Sequence, residues 1–314
     1  MAVRRAAGVA ALLGAAGAGA AAGLAAADRR RWRPPQPAGL VREVAGARLH
    51  YLDEGAGPAL VLVHGFAGST FSWRAVVPEL AKEFRVIAVD LPGFGLSDRR
   101  PGIGYGHERH VDRLLGLLDL LGIERASFAG HSMGGAVVQR LAARAPGRAE
   151  RLVLVGSVSA GANLGIGRRR RASRLMFGAI RLAAISPTLM YAAGRRGLRQ
   201  MVADPAFVTP EVVRGYIDPL LIPGTIRAVG EMAREHAAEP EVDLGAVRAP
   251  ALVVTGEADV LVPPRRAEEL AAALPGSGPP VVIDRAGHLL AEERPDAFLR
   301  ATLPFLRSGA QARR

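Results

Sequence analysis

The chain contains no cysteine, a single lysine and few aromatic residues. Without a thiol, disulfides, thiolate nucleophiles and cysteine-based zinc or iron–sulfur sites are excluded. Aromatic residues make up 5 % of the chain and do not alternate with its clustered arginines, so the sequence indicates no nucleic-acid partner. The cations are almost all arginine because Lys82 is the only lysine. Biased codon usage and a functional basic surface explain this equally well.

The net charge of +12 is unevenly distributed over the 314 residues. Residues 1–33 carry six arginines and one acid, and residues 168–199 carry nine arginines and no acid. These two segments account for more than the whole net charge, so the rest of the chain is close to neutral. A chain of this length accommodates one large domain with an insertion, or two modest domains.

Residues 6–27 consist only of alanine, glycine, leucine and valine, with arginines on both sides. About 20 apolar residues suffice to span a bilayer. The segment 1–33 is therefore predicted to be a membrane anchor, or a secretory signal cleaved near residues 25–27, so that the protein is membrane-anchored or exported. A low-complexity tail on a cytoplasmic protein is the alternative. The following run Trp32 to Pro37 is predicted to be an extended linker.

Short apolar runs alternate with amphipathic stretches from about residue 40 onward. The predicted strands are 41–45, 48–53, 59–63, 85–89, 126–130, 151–155, 251–255 and 280–284. The predicted helices between them are 72–82, 107–121, 134–145 and 265–273. This alternation predicts an α/β fold with a doubly wound, mostly parallel eight-stranded sheet. Residues 34–156 and 241–314 would form this core, and the strand-free stretch 157–240 would form an inserted helical cap.

The central motif is Gly130-His131-Ser132-Met133-Gly134, which follows a predicted strand and opens a predicted helix. A sharp turn from strand to helix exposes the hydroxyl of Ser132 at the sheet edge, and glycine is needed two residues before and after it. The helix N-terminus directs free N–H groups toward a developing oxyanion. In this context the motif predicts a nucleophilic serine.

A serine hydroxyl needs a base that takes its proton and a carboxylate that holds the base. Asp259 follows the strand that begins at Ala251, and His288 follows the last predicted strand. The order Ser132, Asp259, His288 is the one expected for a nucleophile of this kind. Glu257 is the nearest competitor for the acid and is interpreted as a solvated or structural carboxylate.

Two backbone donors are needed for the oxyanion. The predicted donors are the N–H of Met133 and that of Phe66, in the turn after strand 59–63. His64 in the same turn is interpreted as a structural side chain. The other histidines, outside the triad, form no recognisable metal-ligand pattern, namely His50, His107, His110, His131 and His236.

Five motifs together resemble the α/β-hydrolase superfamily over residues 40–156 and 241–306. They are His64-Gly65-Phe66, Asp90–Asp98 (DLPGFGLSD), Gly130–Gly135 (GHSMGG), Gly256–Asp259 (GEAD) and Gly287-His288. The resemblance implies the catalytic and oxyanion roles given above, with no metal and no organic cofactor. It also implies that Asp90 and Asp98 belong to a structural loop after the fourth strand.

Within that superfamily, Ser132 disfavours haloalkane dehalogenases and epoxide hydrolases, which have aspartate at this position. Hydrolases of carbon–carbon bonds share Ser-Met-Gly-Gly but commonly have tryptophan after the histidine, where this chain has Leu289. Hydrolysis of a carboxylic ester through an acyl-enzyme is therefore the leading expectation. Carbon–carbon bond hydrolysis, perhydrolysis, peptide hydrolysis and a non-catalytic binding role stay open.

The substrate is expected to be a small hydrophobic ester. The side chains predicted to contact it are Phe66, Met176, Phe177 and Leu289. The apolar residues of the predicted cap have two possible roles. They pack the cap helices against each other and the core, or they line an apolar acyl pocket. The arginines at 168–171 suit an anionic membrane surface as a further partner.

Overall fold

The computed structural model describes residues 28–30, 32–35, 38–160 and 186–311. Its centre is a single eight-stranded sheet with the order β1-β2-β4-β3-β5-β6-β7-β8. The strands are β1 Leu40–Val44, β2 Ala47–Glu54, β3 Ala59–Val63, β4 Arg85–Val89, β5 Ala126–His131, β6 Ala149–Val155, β7 Ala251–Gly256 and β8 Val281–Ile283. β2 pairs antiparallel with β1 and β4, and all other neighbours are parallel. The predicted fold class is confirmed.

Both faces of the sheet are covered, as the continuous apolar runs require. Along β3, Leu60 and Leu62 enter one hydrophobic cluster, while Val61 and Val63 enter the cluster on the opposite face. All four side chains are almost completely buried. A strand in this position has no solvent-facing side, which explains why its sequence lacks an alternation of apolar and polar residues.

Nine α-helices that begin and end within the described residues lie around the sheet. They are α1 Val77–Leu80, α2 His107–Leu120, α3 Met133–Arg144, α4 Pro187–Met201, α5 Pro210–Leu220, α6 Thr225–His236, α7 Pro264–Ala273, α8 Leu290–Glu293 and α9 Pro295–Gln311. Three of the four predicted helices are present within one residue at each end.

The predicted helix 72–82 is interrupted. A 3-10 helix covers Thr70–Trp73 and α1 begins only at Val77. Pro78 lies in the first turn of α1, the one place where a helix tolerates a residue without an N–H, so a continuous helix through this position is excluded. The sequence patterns also missed α9, which packs Phe298, Leu299 and Leu306 against the sheet.

The described residues between β6 and β7 contain α4, α5, α6 and short 3-10 turns, and none of them belongs to a strand. We call residues 186–240 the helical insertion. The side chain of Ser186 caps α4 and that of Thr209 caps α5, each by accepting a hydrogen bond from a backbone N–H of the first turn. The insertion has its own hydrophobic cluster, which includes Leu289 from the core. The predicted cap boundaries at 157 and 240 stay predictions, because residues 161–185 lie outside the described part.

The apolar run 6–27 lies outside the described residues, so membrane anchoring or export stays a prediction. Within the described part, no helix has the length and apolar character needed to cross a membrane. Just after the run, Asp28 Oδ2 accepts hydrogen bonds from Ser186 Oγ at 2.6 Å and Thr188 N at 2.9 Å. Trp32 Nε1 donates to Asp218 Oδ1 at 3.3 Å. Trp32, the first residue of the predicted linker, is therefore hydrogen-bonded to the helical insertion.

Candidate active site

Ser132 occupies the turn between the last residue of β5 and the first residue of α3. Its φ of +50° and ψ of −115° are strained for a residue with a side chain. A Cβ on Gly134 would collide with the carbonyl oxygens of Val63 and His64, and one on Gly130 would lie 2.6 Å from the carbonyl oxygen of Gly134. The sharp turn predicted from the glycine spacing is present.

Asp259 and His288 follow β7 and β8, at the carboxyl ends of these parallel strands. His288 Nδ1 donates to Asp259 Oδ2 at 2.7 Å, and both side chains are buried. Asp259 Oδ1 accepts from the N–H groups of Leu261 and Val262, each at 2.8 Å. The carboxylate is therefore fixed in orientation, and it fixes the imidazole with Nδ1 protonated and Nε2 free to accept a proton.

The end of β6 brings this pair and Ser132 to the same edge of the sheet. The N–H of Ser132 donates to the carbonyl of Val155 at 2.9 Å. At the next residue, a Cβ on Gly156 would lie 3.1 Å from Asp259 Oδ2 and 3.3 Å from His288 Nδ1. Glycine thus leaves room for the pair, which lies beside the residue that follows Val155, at the same sheet edge as the serine turn.

His131 is a second link between the two loops. Its Nε2 donates to the carbonyl oxygen of His288 at 2.9 Å, and the two ring centroids are 4.7 Å apart. Burial, followed by the proximity of His288, lowers the pKa of His131 to about 3. His131 is therefore neutral at pH 7 and holds the His288 loop without adding a charge beside the site.

Both predicted oxyanion donors lie next to Ser132. Met133 is the first residue of α3, so its N–H has no partner within the helix. Phe66 follows Gly65, whose Cβ, if present, would lie 3.1 Å from Ser132 Cβ. Among the described residues, no hydrogen bond is recorded from the N–H of Phe66 or of Met133. Two backbone donors are thus available on neighbouring turns.

The histidine and carboxylate residues that the sequence left aside have structural partners. His64 is buried, with Nε2 accepting from the N–H of Leu91 at 2.9 Å and Nδ1 donating to the carbonyl of Gly65 at 2.7 Å. Asp90 is buried and accepts from His50 Nδ1 at 2.7 Å. Glu257 is exposed and accepts from the N–H of Arg285 at 3.0 Å. Each of these groups thus has a structural partner away from Ser132.

The residues predicted to contact substrate fall into two groups. Phe66 is 44 % exposed and its ring packs edge-on against Phe94, with centroids 5.4 Å apart. Leu289, directly after His288, is buried in the hydrophobic cluster of the helical insertion. Met176 and Phe177 lie outside the described residues. An exposed aromatic ring and a buried aliphatic side chain thus flank the serine turn and the histidine.

Known proteins are similar to this chain in sequence and in fold. The family model for the alpha/beta hydrolase fold matches residues 58–172, and a model described as TAP-like protein matches residues 231–314. The dihydrolipoyllysine-residue acetyltransferase component of the acetoin cleaving system of Pseudomonas putida is 34 % identical over 290 residues, covering 90 % of this chain and 71 % of that protein. This chain belongs to the α/β-hydrolase family.

Two solved structures show the range of chemistry among similar α/β hydrolases. A thermophilic esterase from Thermogutta terrifontis superimposes with a TM-score of 0.72 at 29 % identity, covering 87 % of this chain and all of that one. A meta-cleavage product hydrolase from Pseudomonas fluorescens superimposes with a TM-score of 0.71 at 26 % identity, covering 86 % of this chain and 98 % of that one. Its family identifies this protein as a hydrolytic enzyme. The family does not identify the kind of bond that is hydrolysed, because similar α/β hydrolases cleave different bonds.

One feature of this hydrolase was not found from the sequence, namely a direct link between the helical insertion and the His288 loop. The N–H of His288 donates to the carbonyl of Met201, the last residue of α4, at 2.6 Å. Glu293 bridges the same two segments, with Oε1 accepting from the N–H of Gly287 at 3.0 Å and Oε2 accepting from the N–H of Ala203 at 2.7 Å. Glu293 therefore positions the loop that carries the histidine.

A second polar link passes beside the site of this hydrolase. Tyr216 of α5 accepts a hydrogen bond from Ser72 Oγ at 3.2 Å and donates to Glu292, which also pairs with Arg74. Burial raises the pKa of Glu292 to about 7, although Arg74 and Tyr216 oppose the shift. The insertion thus contacts the core through two adjacent carboxyl groups, both within five residues of His288.

We expect Glu293→Gln to lower kcat by about 10- to 100-fold with a smaller change in KM. Glutamine keeps one oxygen acceptor but presents an amide NH₂ to the other backbone N–H, so one of the two segments is released. The measurement is steady-state kinetics together with the thermal unfolding midpoint. Glu257→Gln is the matched control, because Glu257 also accepts one backbone N–H of the same loop but does not reach the insertion. Equal loss of kcat in both variants would contradict the positioning role.

Proposed function

We propose that this α/β hydrolase is a serine hydrolase of carboxylic esters that acts on a hydrophobic ester through an acyl-enzyme. Ser132 is the nucleophile, His288 the general base and Asp259 the group that orients His288. The observation that carries the proposal is the 2.7 Å bond from His288 Nδ1 to Asp259, beside a serine held at a φ of +50° at the N-terminus of α3.

In the first half of the reaction, Ser132 Oγ attacks the ester carbonyl carbon while His288 Nε2 takes the hydroxyl proton. The carbonyl oxygen becomes negatively charged and accepts hydrogen bonds from the N–H groups of Phe66 and Met133. As the tetrahedral intermediate collapses, the bond to the alcohol oxygen breaks, and His288 returns its proton to the departing alkoxide. Asp259 stabilises the imidazolium that exists between these two proton transfers.

In the second half, water attacks the carbonyl carbon of the acyl-enzyme while His288 Nε2 accepts a proton from the water. The bond to Ser132 Oγ breaks, His288 protonates that oxygen, and the carboxylic acid leaves. The same histidine therefore acts as base and then as acid in each half. Apart from the water that is consumed, each step uses only Ser132, Asp259, His288 and the two backbone N–H donors.

The apolar character of the flanking side chains supports a hydrophobic substrate. Leu289 is only 3 % exposed and packs with the cluster formed by α4 and α5, so it makes the surroundings of His288 apolar without itself presenting a surface. Phe66 presents an exposed ring at the turn that carries the oxyanion donor. Apolar acyl groups gain about 25 cal/mol per Å² of surface that such side chains remove from water. The similarity to a thermophilic esterase is consistent with this substrate class.

Hydrolysis of a carbon–carbon bond is the second candidate function. It is favoured by the similarity to a meta-cleavage product hydrolase and by the sequence Ser132-Met133-Gly134-Gly135. The aliphatic Leu289 after the histidine favours the ester instead. Perhydrolysis and a non-catalytic binding role use the same fold and are distinguished by the experiment below.

The experiment combines covalent labelling with a substrate panel. The full chain is treated with a fluorophosphonate probe and analysed by peptide mass spectrometry, with His288→Ala as the comparison. The panel contains nitrophenyl esters of increasing acyl length, a conjugated diketone of the ring-fission type, and acetate with hydrogen peroxide. We expect modification at Ser132 only when His288 is present, and a kcat/KM that rises with acyl length before it reaches a plateau.

Each other outcome identifies a different function. Turnover of the diketone at a higher kcat/KM than any ester would establish the carbon–carbon hydrolase, and peracid formation would establish the perhydrolase. A folded protein without labelling at Ser132 and without turnover of any substrate would contradict catalysis and favour the binding role.

A further inference from the structure

Three side chains far apart in sequence meet where the helical insertion returns to the core. His107 is the first residue of α2, His236 is the last residue of α6, and Glu239 follows three residues later. One potential ligand atom from each lies within 4.8 Å of the others. None of the three takes part in the reaction proposed for Ser132, so their assembly needs an explanation of its own.

Two of the three separations are close to those of ligands around one small ion. His236 Nδ1 is hydrogen-bonded to Glu239 Oε2 at 3.2 Å, and His107 Nδ1 lies 3.6 Å from the same oxygen. A tetrahedral zinc ion with bonds of about 2.0 to 2.1 Å holds its ligand atoms about 3.3 to 3.4 Å apart. The two observed distances fall on either side of this value, so small side-chain adjustments suffice for coordination.

His107 provides an independent sign that a ligand is needed. The residue is 4 % exposed, and its Nδ1 is buried with no hydrogen-bond partner among the described residues. Buried polar atoms in folded proteins nearly always have a partner.

Glu239 is already oriented toward the two histidines. Its Oε1 accepts the N–H of Glu108 at 3.0 Å, which leaves Oε2 directed at the imidazole nitrogens. A hydrogen-bonded carboxylate of this kind is what supports a metal ligand in known sites. Nearby, Glu235 Oε2 accepts the N–H groups of Tyr105 and Gly106, which fixes the start of α2.

The charges around the three side chains tolerate a divalent cation. Arg140 is a cation beside the three side chains, and its guanidinium is paired with Glu108 Oε1 at 2.7 Å. Glu235 and Glu239 add two carboxylates that face the start of α2. The carboxylates therefore outnumber the arginine at this position, and a dication would reduce the excess negative charge.

We propose that His107, His236 and Glu239 bind a zinc ion, with water in the fourth position, that connects α2 of the core to the end of α6. Two imidazoles and one carboxylate are a donor set that zinc accepts, and one position stays open to water because His236 is partly exposed. The ion stabilises the junction between the insertion and the core. It lies outside the serine site and takes no part in ester hydrolysis.

The test uses the full chain without an affinity tag, stripped with a chelator and titrated with Zn²⁺ in competition with a chromophoric chelator. We expect one zinc ion per chain, and an affinity at least about tenfold weaker in His236→Gln and in Glu239→Gln. Glu241→Gln is the matched control, because Glu241 is an exposed carboxylate two residues beyond Glu239. Substitution with Co²⁺ should give the visible absorption of a four-coordinate ion in the wild type only.

Thermal unfolding provides the second readout. Zinc should raise the unfolding midpoint of the wild type and of Glu241→Gln but not that of His236→Gln, whose partly exposed side chain lies at a helix end and can be replaced without unfolding the apo protein. Absence of stoichiometric zinc binding, or the same affinity in His236→Gln as in the wild type, would overturn the proposal. The cluster would then be a hydrogen-bonded group of side chains without a metal.

Discussion

Ser132→Ala is expected to lower kcat for an ester by about 10⁴- to 10⁶-fold. The substitution removes the only atom that forms the acyl bond, while the N–H groups of Phe66 and Met133 remain to polarise the carbonyl and leave a small residual rate. The backbone at position 132 keeps its bond to the carbonyl of Val155, so the fold should persist. Steady-state kinetics and the thermal unfolding midpoint measure the two effects separately.

Ser127→Ala is the matched control, because it removes a hydroxyl from β5, five residues before Ser132. We expect this variant to keep the wild-type kcat. If Ser132→Ala retained most of its activity, or if both variants lost the same fraction, Ser132 would not be the nucleophile.

Asp259→Asn is expected to lower kcat by about 10⁴-fold with little change in stability. In the wild type, Oδ1 accepts two backbone N–H groups and Oδ2 accepts His288 Nδ1–H. An asparagine oxygen must remain with the two backbone donors, so its NH₂ faces His288. The imidazole then accepts at Nδ1 and carries its proton on Nε2, which is the wrong tautomer for a base that takes the proton of Ser132.

The matched control is Asp243→Asn. Asp243 also accepts a backbone N–H in a tight turn, from Gly245 at 2.9 Å, but it has no histidine partner. Steady-state kinetics should show normal kcat in this variant and the large loss only in Asp259→Asn. A minor loss in Asp259→Asn together with a large loss in Glu257→Gln would move the acid role to Glu257.

The sheet could be predicted closely from the sequence because its strands are buried on both faces. Such strands show as uninterrupted apolar runs, and β3 and β4 have the predicted bounds. The C-terminal helix α9 was missed because Pro304 lies inside it and weakens the helical pattern. Its existence depends on the apolar surface of the sheet that Phe298 and Leu306 cover, and this surface exists only after the strands have assembled.

The serine turn was predictable because its requirements are local. Glycines at 130 and 134 and the position of Ser132 between a strand and a helix all lie within one short segment. Asp259 and His288 could be named from the order of strand ends, but their distance could not. Contacts such as Glu293 to Ala203, or His107 to Glu239, join segments 90 or more residues apart and depend on how the insertion packs. In the sequence, the spacing His236-x-x-Glu239 was the only local sign of the cluster of His107, His236 and Glu239.

The hydrogen bond from the N–H of His288 to the carbonyl of Met201 makes the orientation of the imidazole depend on the helical insertion as well as on the core. A substitution that displaces the end of α4 would therefore also disturb the backbone of His288, although α4 lies far from Ser132 in the sequence.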